Sequence, residues 1–389
     1  MRILNCIPDV STGSVRRMGL DIGYAFETVS DEVRTFLFTP NTPAPGHLKA
    51  LFRWLCDGTK PGLLVDINGQ IVTSSHGIAA LNGADGKMRG FTFLTDNPSY
   101  YPSRFARWPR NCLVGTVDRS FSGAAGYLLF NKPRYVFFPH GGPPDRRDTH
   151  PLVERDIDFL FIGNVAETHK PKQHADAIFP DEPQRRDLFL RSLEQLDQRR
   201  AFLEHTLLVA RETPKRFQRK DIPLVANALE AYVNARQRAR ALALLEGLPV
   251  TVVGRISHPT LGSQASFDTL GFVPFDDCQK LLERSKVLVN VRPGFPTGGH
   301  ERIFYALAHG CGVCTSRSEL LEPDRQSHGH LEFHADDLSD LRETVLDLRD
   351  RVSSSGANPL AMFDHYEKHH TWSRRLRPVM EALMDPPQN

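Results

Sequence analysis

A two-domain α/β protein, with a Rossmann-like parallel sheet in each half, is the fold class this sequence predicts. Three observations carry that expectation. The 389 residues are too many for one ordinary core and comfortable for two. Short apolar runs alternate with helical segments along the chain, and several end in polar or Gly/Pro clusters, as strands of an open parallel sheet do where ligands collect. A Pro-rich, charged stretch, GPPDRRDTHPLVE from Gly142 to Glu154, reads as a linker between two such series. The domains expected are residues 1–150 and 151–389, with a helical segment at about 181–247 and a last helix that packs back on the first domain.

The totals narrow the function classes. Hydrophobic content of 40% with 24% charged residues is ordinary for a soluble globular protein. A net charge of +2 gives no overall drive toward nucleic acid or anionic lipid, so no nucleic-acid partner is expected. No apolar run reaches the roughly 18 residues of a membrane span, so no transmembrane segment is expected either. MRILNCIPDVSTG has one basic residue and then a strand-like run, unlike a signal peptide. Six scattered cysteines, at 6, 56, 112, 278, 311 and 314, read as reduced thiols of a cytoplasmic protein.

In chain order, RILNCIP (Arg2–Pro8) is a strand, Ser11–Ser14 a Ser/Thr/Gly loop, and the segment through about Phe26 a helix; without a full GxGxxG it implies no dinucleotide. Further strands are expected at 62–67, 91–94, 113–117 and 135–138. Their tails, SSHG at 74–77, TDNP at 95–98 and PHGG at 139–142, bring His76, Asp96 and His140 toward one edge of one sheet, as a cleft wall. DFLFI (Asp158–Ile162), ending in Gly163-Asn164, begins the second series. Leucines at helical spacing amid Arg and Glu then fill about 181–247. Arginines 185, 186, 191, 199 and 200 there read as a solvated helix surface. Val250–Val253 is a strand followed by Gly254-Arg255, and Leu270–Phe275 a strand plus turn. Asp276 or Asp277 is the expected cap of a helix running to about Ser285.

The stretch from Lys286 to Ser316 is the expected functional centre. A buried strand (Val287–Val291) feeds a Pro/Gly loop closing at Gly298-Gly299, and a helix starts near His300 or Glu301. Such a helix start is an anion seat, because its first backbone N–H groups are unpaired and point outward. Glu301 and Tyr305, four apart, share a face. Gly163-Asn164 and Arg255 supply further anion-binding parts, which suits a nucleotide-diphosphate ligand without a metal. A loop at 318–323, a strand at 330–333, a helix at about 338–352 and an amphipathic stretch at 361–384 with His365, His369 and His370 complete the chain.

LGFVPFDDCQKLLERSKVLVNVRPG and GGHERIFYALAHGCGVCTSRSELLE, with DFLFIGN at 158–164, FLTDNPSYYP and VFFPHGG, resemble the GT-B glycosyltransferases. The likeness is to the group-1, family-four-like branch that includes the CgeB-like proteins. It implies two Rossmann-like domains facing across a cleft, the first on the acceptor side and the second binding a nucleotide-sugar donor, with no cofactor. It implies that Gly163 and Gly299 lie near the donor diphosphate, that Arg255 contacts it, and that the loop before Arg302 faces the sugar. It also implies an acceptor-side group from the first domain, for which Asp96, His76 and His140 match. Many relatives carry Glu in an E-A-x-A-x-G pattern where this chain has Tyr305, so ribose binding passes to Glu301 or to Glu322.

The expected function is therefore metal-independent transfer of a sugar from a nucleotide-diphosphate donor to an unidentified acceptor. The alternative is a catalytically silent module that binds a nucleotide sugar or a partner. Asp156-Ile157-Asp158 and Cys311-Gly312-Val313-Cys314 have metal-site spacings, but the first lies at the wrong end of a strand and the second lacks partner ligands, so no metal is expected.

Overall fold

The computed structural model describes the chain apart from residues 11–12, 40–45, 84–86, 102–103, 105–107, 110, 129–132, 144–151, 215–216, 259–260, 262–266, 292–293, 355–358 and 385–389. It divides into two units, one of Met1–Asp145 with Lys368–Asn389, the other of Arg146–Glu367.

The first unit alternates strand and helix: β1 (Arg2–Pro8), α1 (Ser14–Glu27), β2 (Glu32–Phe38), α2 (Gly46–Leu55), β3 (Gly62–Ile67), α3 (Ser75–Gly83), β4 (Met88–Leu94), β5 (Cys112–Thr116), α4 (Ser120–Leu128) and β6 (Arg134–Phe137). All six strands are parallel, in the order β2-β1-β3-β4-β5-β6. β3 and β5 are buried along their whole length because helices cover both faces, which is why they read as continuous apolar runs. The helix Trp372–Met384 belongs to this unit. Trp372 is fully buried, with its ring 5.5 Å from Phe93 at 76° and 5.6 Å from Phe138. Backbone bonds Gly142 N to His370 O (3.0 Å) and Trp372 N to Gly142 O (3.1 Å) tie this segment in beside β6.

The second unit holds β7 (Ile157–Ile162), β8 (Val165–Ala166), α5 (Pro171–Ile178), α6 (Pro183–Glu194), α7 (Phe202–Glu212), α8 (Asp221–Leu244), β9 (Val250–Val253), β10 (Ile256–Ser257), β11 (Phe267–Gly271), α9 (Phe275–Arg284), β12 (Ser285–Asn290), α10 (Glu301–Ala308), β13 (Gly312–Thr315), α11 (Glu322–His328), β14 (Leu331–Phe333), α12 (Leu341–Ser353) and α13 (Pro359–His369). Its main sheet is again parallel, in the order β11-β9-β7-β12-β13-β14, and β8 pairs separately with β10. One core of Phe159, Phe161, Val287, Val289, Leu242 and Leu348 lies between sheet and helices, and a second, around Phe189, Phe202 and Tyr232, lies within the helical segment.

Several local expectations change. Of the linker, residues 144–151 lie outside the described residues, as do Ser11-Thr12 of the first loop. Pro274, not Asp276 or Asp277, caps α9; both aspartates sit in its first turn, where they oppose the helix dipole. Strand β11 ends at Gly271, before the expected Leu270–Phe275 run is complete, because Pro274 already starts the helix. Residues 318–323 form no open loop: a 3-10 turn (Glu319–Leu321) capped by Ser318 runs straight into α11 with Pro323 at its start.

Candidate functional site

At the carboxyl ends of β7, β9 and β11 the chain turns on three glycines with positive φ, Gly163 (157°), Gly254 (135°) and Gly271 (66°). They are stitched in a row: Gly163 N donates to Val253 O at 2.8 Å, and Gly254 N to Gly271 O at 2.7 Å. A side chain at Gly254 would put its Cβ 2.5 Å from Gly163 O, so only glycine fits. Asn164 spends its side chain locally, its Oδ1 accepting from Arg255 N at 2.9 Å. Arg255 itself is exposed, and no ion pair of its side chain is found among the described residues.

Two guanidiniums reach this turn. Arg238, from α8, donates to Asn164 O at 3.3 Å, and Arg302, from α10, donates to Ile162 O. Two guanidiniums therefore hold carbonyls of residues 162–164, while Arg255 meets the turn through its backbone N–H. Arg238 is the one sequence reading missed, since nothing in its helical surroundings marks it out.

Next in the sheet, β12 leads through the loop to α10. Its cap position is His300, which makes no side-chain cap bond to the helix N-terminus. His300 Nδ1 lies 2.6 Å from Glu301 Oε2 and 3.1 Å from Arg302 Nε, so the three residues form one cluster, with His300 and Glu301 each 8% exposed. The loop is anchored from behind: Ser318 Oγ donates to Gly298 O, and Glu319 N donates to Pro296 O at 2.9 Å. Gly299 lies over the Phe304 ring, where a Cβ would be 3.0 Å from Cζ. Tyr305 is fully buried, its ring edge-on to Phe275 at 5.0 Å and 85°. Glu322 stands apart from these residues, within reach of Arg317 (3.4 Å) and Arg325 (3.6 Å), on the wall of a separate cavity of 810 Å³ at the ends of β13 and β14.

In the first unit, the carboxyl ends of β3 and β4 carry a polar network. Asp66 is fully buried; its Oδ2 accepts from Ile71 N (2.6 Å) and Val72 N (2.8 Å), and Thr92 bonds its other oxygen. Burial pushes this carboxyl up, against the hydrogen bonds that favour its charged form. Asn68 accepts from Thr95 N at 2.9 Å, and Asp96 Oδ2 accepts from Thr95 Oγ1 (3.1 Å) and Tyr101 Oη (3.2 Å). Arg104 lies over the Tyr101 ring at 4.8 Å and donates to Asn68 O at 2.7 Å. Asp96 thus sits half-buried in a built network, and the signal was present in VDIN and FLTDN, where polar residues interrupt buried strand ends.

His76 and His140 have different surroundings. His76 is exposed, second residue of α3. His140 is 1% exposed, packed edge-on against Phe93 at 5.4 Å and near Trp372.

The residues with metal-like spacing have structural partners. Asp156 pairs with Arg284, and Asp158 with Lys286 at 2.7 Å. Cys311 and Cys314 are fully buried, and burial pushes the Cys311 thiol up to about 12. His365 Nε2 lies 2.5 Å from Asp324 Oδ1.

Among solved structures, HepE of Anabaena in complex with UDP matches over 98% of this chain and 99% of its own, at 13% identity and a TM-score of 0.50. The chain has the GT-B fold. Solved structures of lower structural similarity include the lipopolysaccharide outer core galactosyltransferase WaaB (13% identity, 98% and 99% covered, TM-score 0.48) and T4 phage BGT with its UDP-glucose substrate (9%, 99% and 100%, 0.47). No family model and no curated protein matches the sequence. In this GT-B chain both six-stranded sheets present their polar residues at carboxyl ends, as the doubly wound topology favours.

Proposed function

We propose that this GT-B protein is a glycosyltransferase of the group-1, CgeB-like kind, moving a sugar from a nucleoside-diphosphate donor to an acceptor without a metal ion. The observation that carries the reading is the turn at 162–164, held by the Arg238 and Arg302 guanidiniums, followed by exposed Arg255 and set beside the uncapped start of α10. Guanidiniums and backbone N–H groups are what a departing diphosphate requires in place of a cation. HepE, which shares the fold, was solved with UDP, and this supports UDP as the first donor nucleotide to test.

In the reaction an acceptor hydroxyl forms the new bond to the anomeric carbon as the bond to the diphosphate oxygen breaks, and the diphosphate takes up the negative charge. If the outcome is inversion, Asp96 or His76 receives the acceptor proton. In retention the departing diphosphate oxygen takes the proton, and no such base is needed. Glu301, in the cluster at the start of α10, is the carboxylate placed to hold the ribose, since Tyr305 is committed to packing on Phe275. Six unpaired cysteines, five of them buried, fit a reducing cytoplasmic setting.

The burial of Tyr305 where relatives carry Glu favours a second reading, a silent module that binds the nucleotide without transfer. Calorimetry with UDP, GDP and TDP, followed by a donor screen reading released nucleotide, separates them. Binding to one nucleotide and release from its sugar conjugate are expected. Arg255→Ala should weaken nucleotide binding by about tenfold or more, as loss of a charge-assisted contact does, and Glu301→Ala should abolish release. Binding without release from any matching donor would establish the silent module, and no binding at all would sink both.

A further inference from the structure

The cavity of 810 Å³ in the second unit is separate from the nucleotide seat and has no assigned occupant. Its size suits a ligand of a few sugar rings. Three guanidiniums (Arg199, Arg317, Arg325) and four carboxylates (Glu319, Glu322, Asp336, Asp340) line it, with the Phe333 ring among them. The formal sum, three minus four, is −1, and the signs are interleaved, so the field selects neither an anion nor a cation.

Some of these charges are spent. Glu322 holds Arg317 and Arg325, Arg325 also meets Glu332 at 3.0 Å, and Asp340 accepts from Ala335 N at 2.7 Å. No hydrogen bond or ion pair of the Arg199, Glu319 or Asp336 side chains is found among the described residues, and Asp336 acts on His334 through its charge. Of arginines 185, 186, 191, 199 and 200, the four besides Arg199 are each paired with Asp or Glu among the described residues. Buried His334 adds a polar wall, its Nδ1 2.9 Å from Ala335 O and its Nε2 3.3 Å from Ser316 Oγ.

The walls are fixed rather than loose. Gln237 bonds both Gln198 Oε1 (3.4 Å) and Asp336 O (3.3 Å), joining the turn that carries Arg199 to the turn after β14. The Glu319 backbone holds Pro296, which lines the cavity and belongs to the loop leading into α10. Partnerless donors and acceptors of both signs, beside an aromatic face, are satisfied together by a neutral ligand rich in hydroxyls, since each hydroxyl both donates and accepts.

We propose that this cavity binds a neutral oligosaccharide, at a site distinct from that of the transferred sugar. The test is saturation-transfer NMR on the full chain, without and with UDP, using maltotriose, cellotriose, mannotriose and chitotriose as probes. Inorganic phosphate and glucose 6-phosphate serve as anionic competitors, and UDP binding is followed in parallel by calorimetry. At least one neutral trisaccharide should bind. Arg199→Ala and Asp336→Ala, both on exposed turns, should each lower its affinity about tenfold and leave UDP affinity and the melting midpoint unchanged.

Failure of all four trisaccharides to bind would overturn the proposal. So would displacement by inorganic phosphate, which would make this an anion site, or displacement by UDP-sugars but not by UDP, which would make it a seat for the donor's own sugar. A trisaccharide bound by a chain that takes up no UDP would uphold the carbohydrate site and overturn the transferase reading instead.

Discussion

His334 shows how one buried side chain ties chemistry to pH. Burial pulls its pKa below the ordinary 6.5, against opposing hydrogen bonds to Ala335 and Asn290. A lowered histidine pKa means the fold prefers the neutral ring. Its contribution is therefore complete above the unfolded value of 6.5 and is lost as pH falls from there through the lowered folded value. The melting midpoint should accordingly fall on acidification through that window, and His334→Asn should show a shallower fall, which differential scanning fluorimetry across the pH range measures directly. An identical slope in both proteins would rule out this role. At this scale the sequence was informative in uneven ways. Arg255 and Asp96 stood out because they follow apolar runs and Glu301 because it opens a helix after a glycine loop, whereas Arg238 and Arg199 sit among other arginines and become distinct only through what folds against them.

Among the elements, the row of glycines at the ends of β7, β9 and β11 sets how close the backbones come. Gly254→Ala forces a Cβ to 2.5 Å from Gly163 O at a φ of 135°, neither of which relaxes by side-chain motion. A cost of about 3 kcal/mol is expected from such strain, with nucleotide affinity reduced in the same variant because residues 162–164 must shift. Urea unfolding and calorimetry read the two effects, and unchanged values in both would show that the turn yields freely. Strands buried on both faces were legible as apolar runs. β2 was not, because as an edge strand it alternates between half-buried and exposed positions and EVRTFLF carries no continuous hydrophobic signal. The stretch at 318–323 was read as a loop because Ser and Pro punctuate it, yet here Ser caps and Pro starts a helix. The cavity at the ends of β13 and β14 was invisible for another reason: its walls come from residues as far apart in sequence as Arg199 and Asp340.

For the whole molecule, the division of the chain makes a clear forecast. The second unit is continuous, Arg146–Glu367, with its own sheet and cores, while the first needs residues 368–389 to finish. A fragment of residues 146–367 should therefore fold with a cooperative melt and retain nucleotide binding, whereas residues 1–145 alone should not, because Phe93, Phe138 and His140 lose the indole that covers them. Circular dichroism and calorimetry on the two fragments check this, and a stably folded 1–145 fragment would refute it. The buried Trp372 also sets a clock on biosynthesis. At about 5–20 residues per second, the roughly 220 residues of the intervening unit take about 10–45 s to be made. For that interval the half emerging first from the ribosome waits with an apolar notch open, and the half made second is ready first. Nascent chains of this protein should thus depend on chaperone protection at the beginning of the sequence until its last helix arrives.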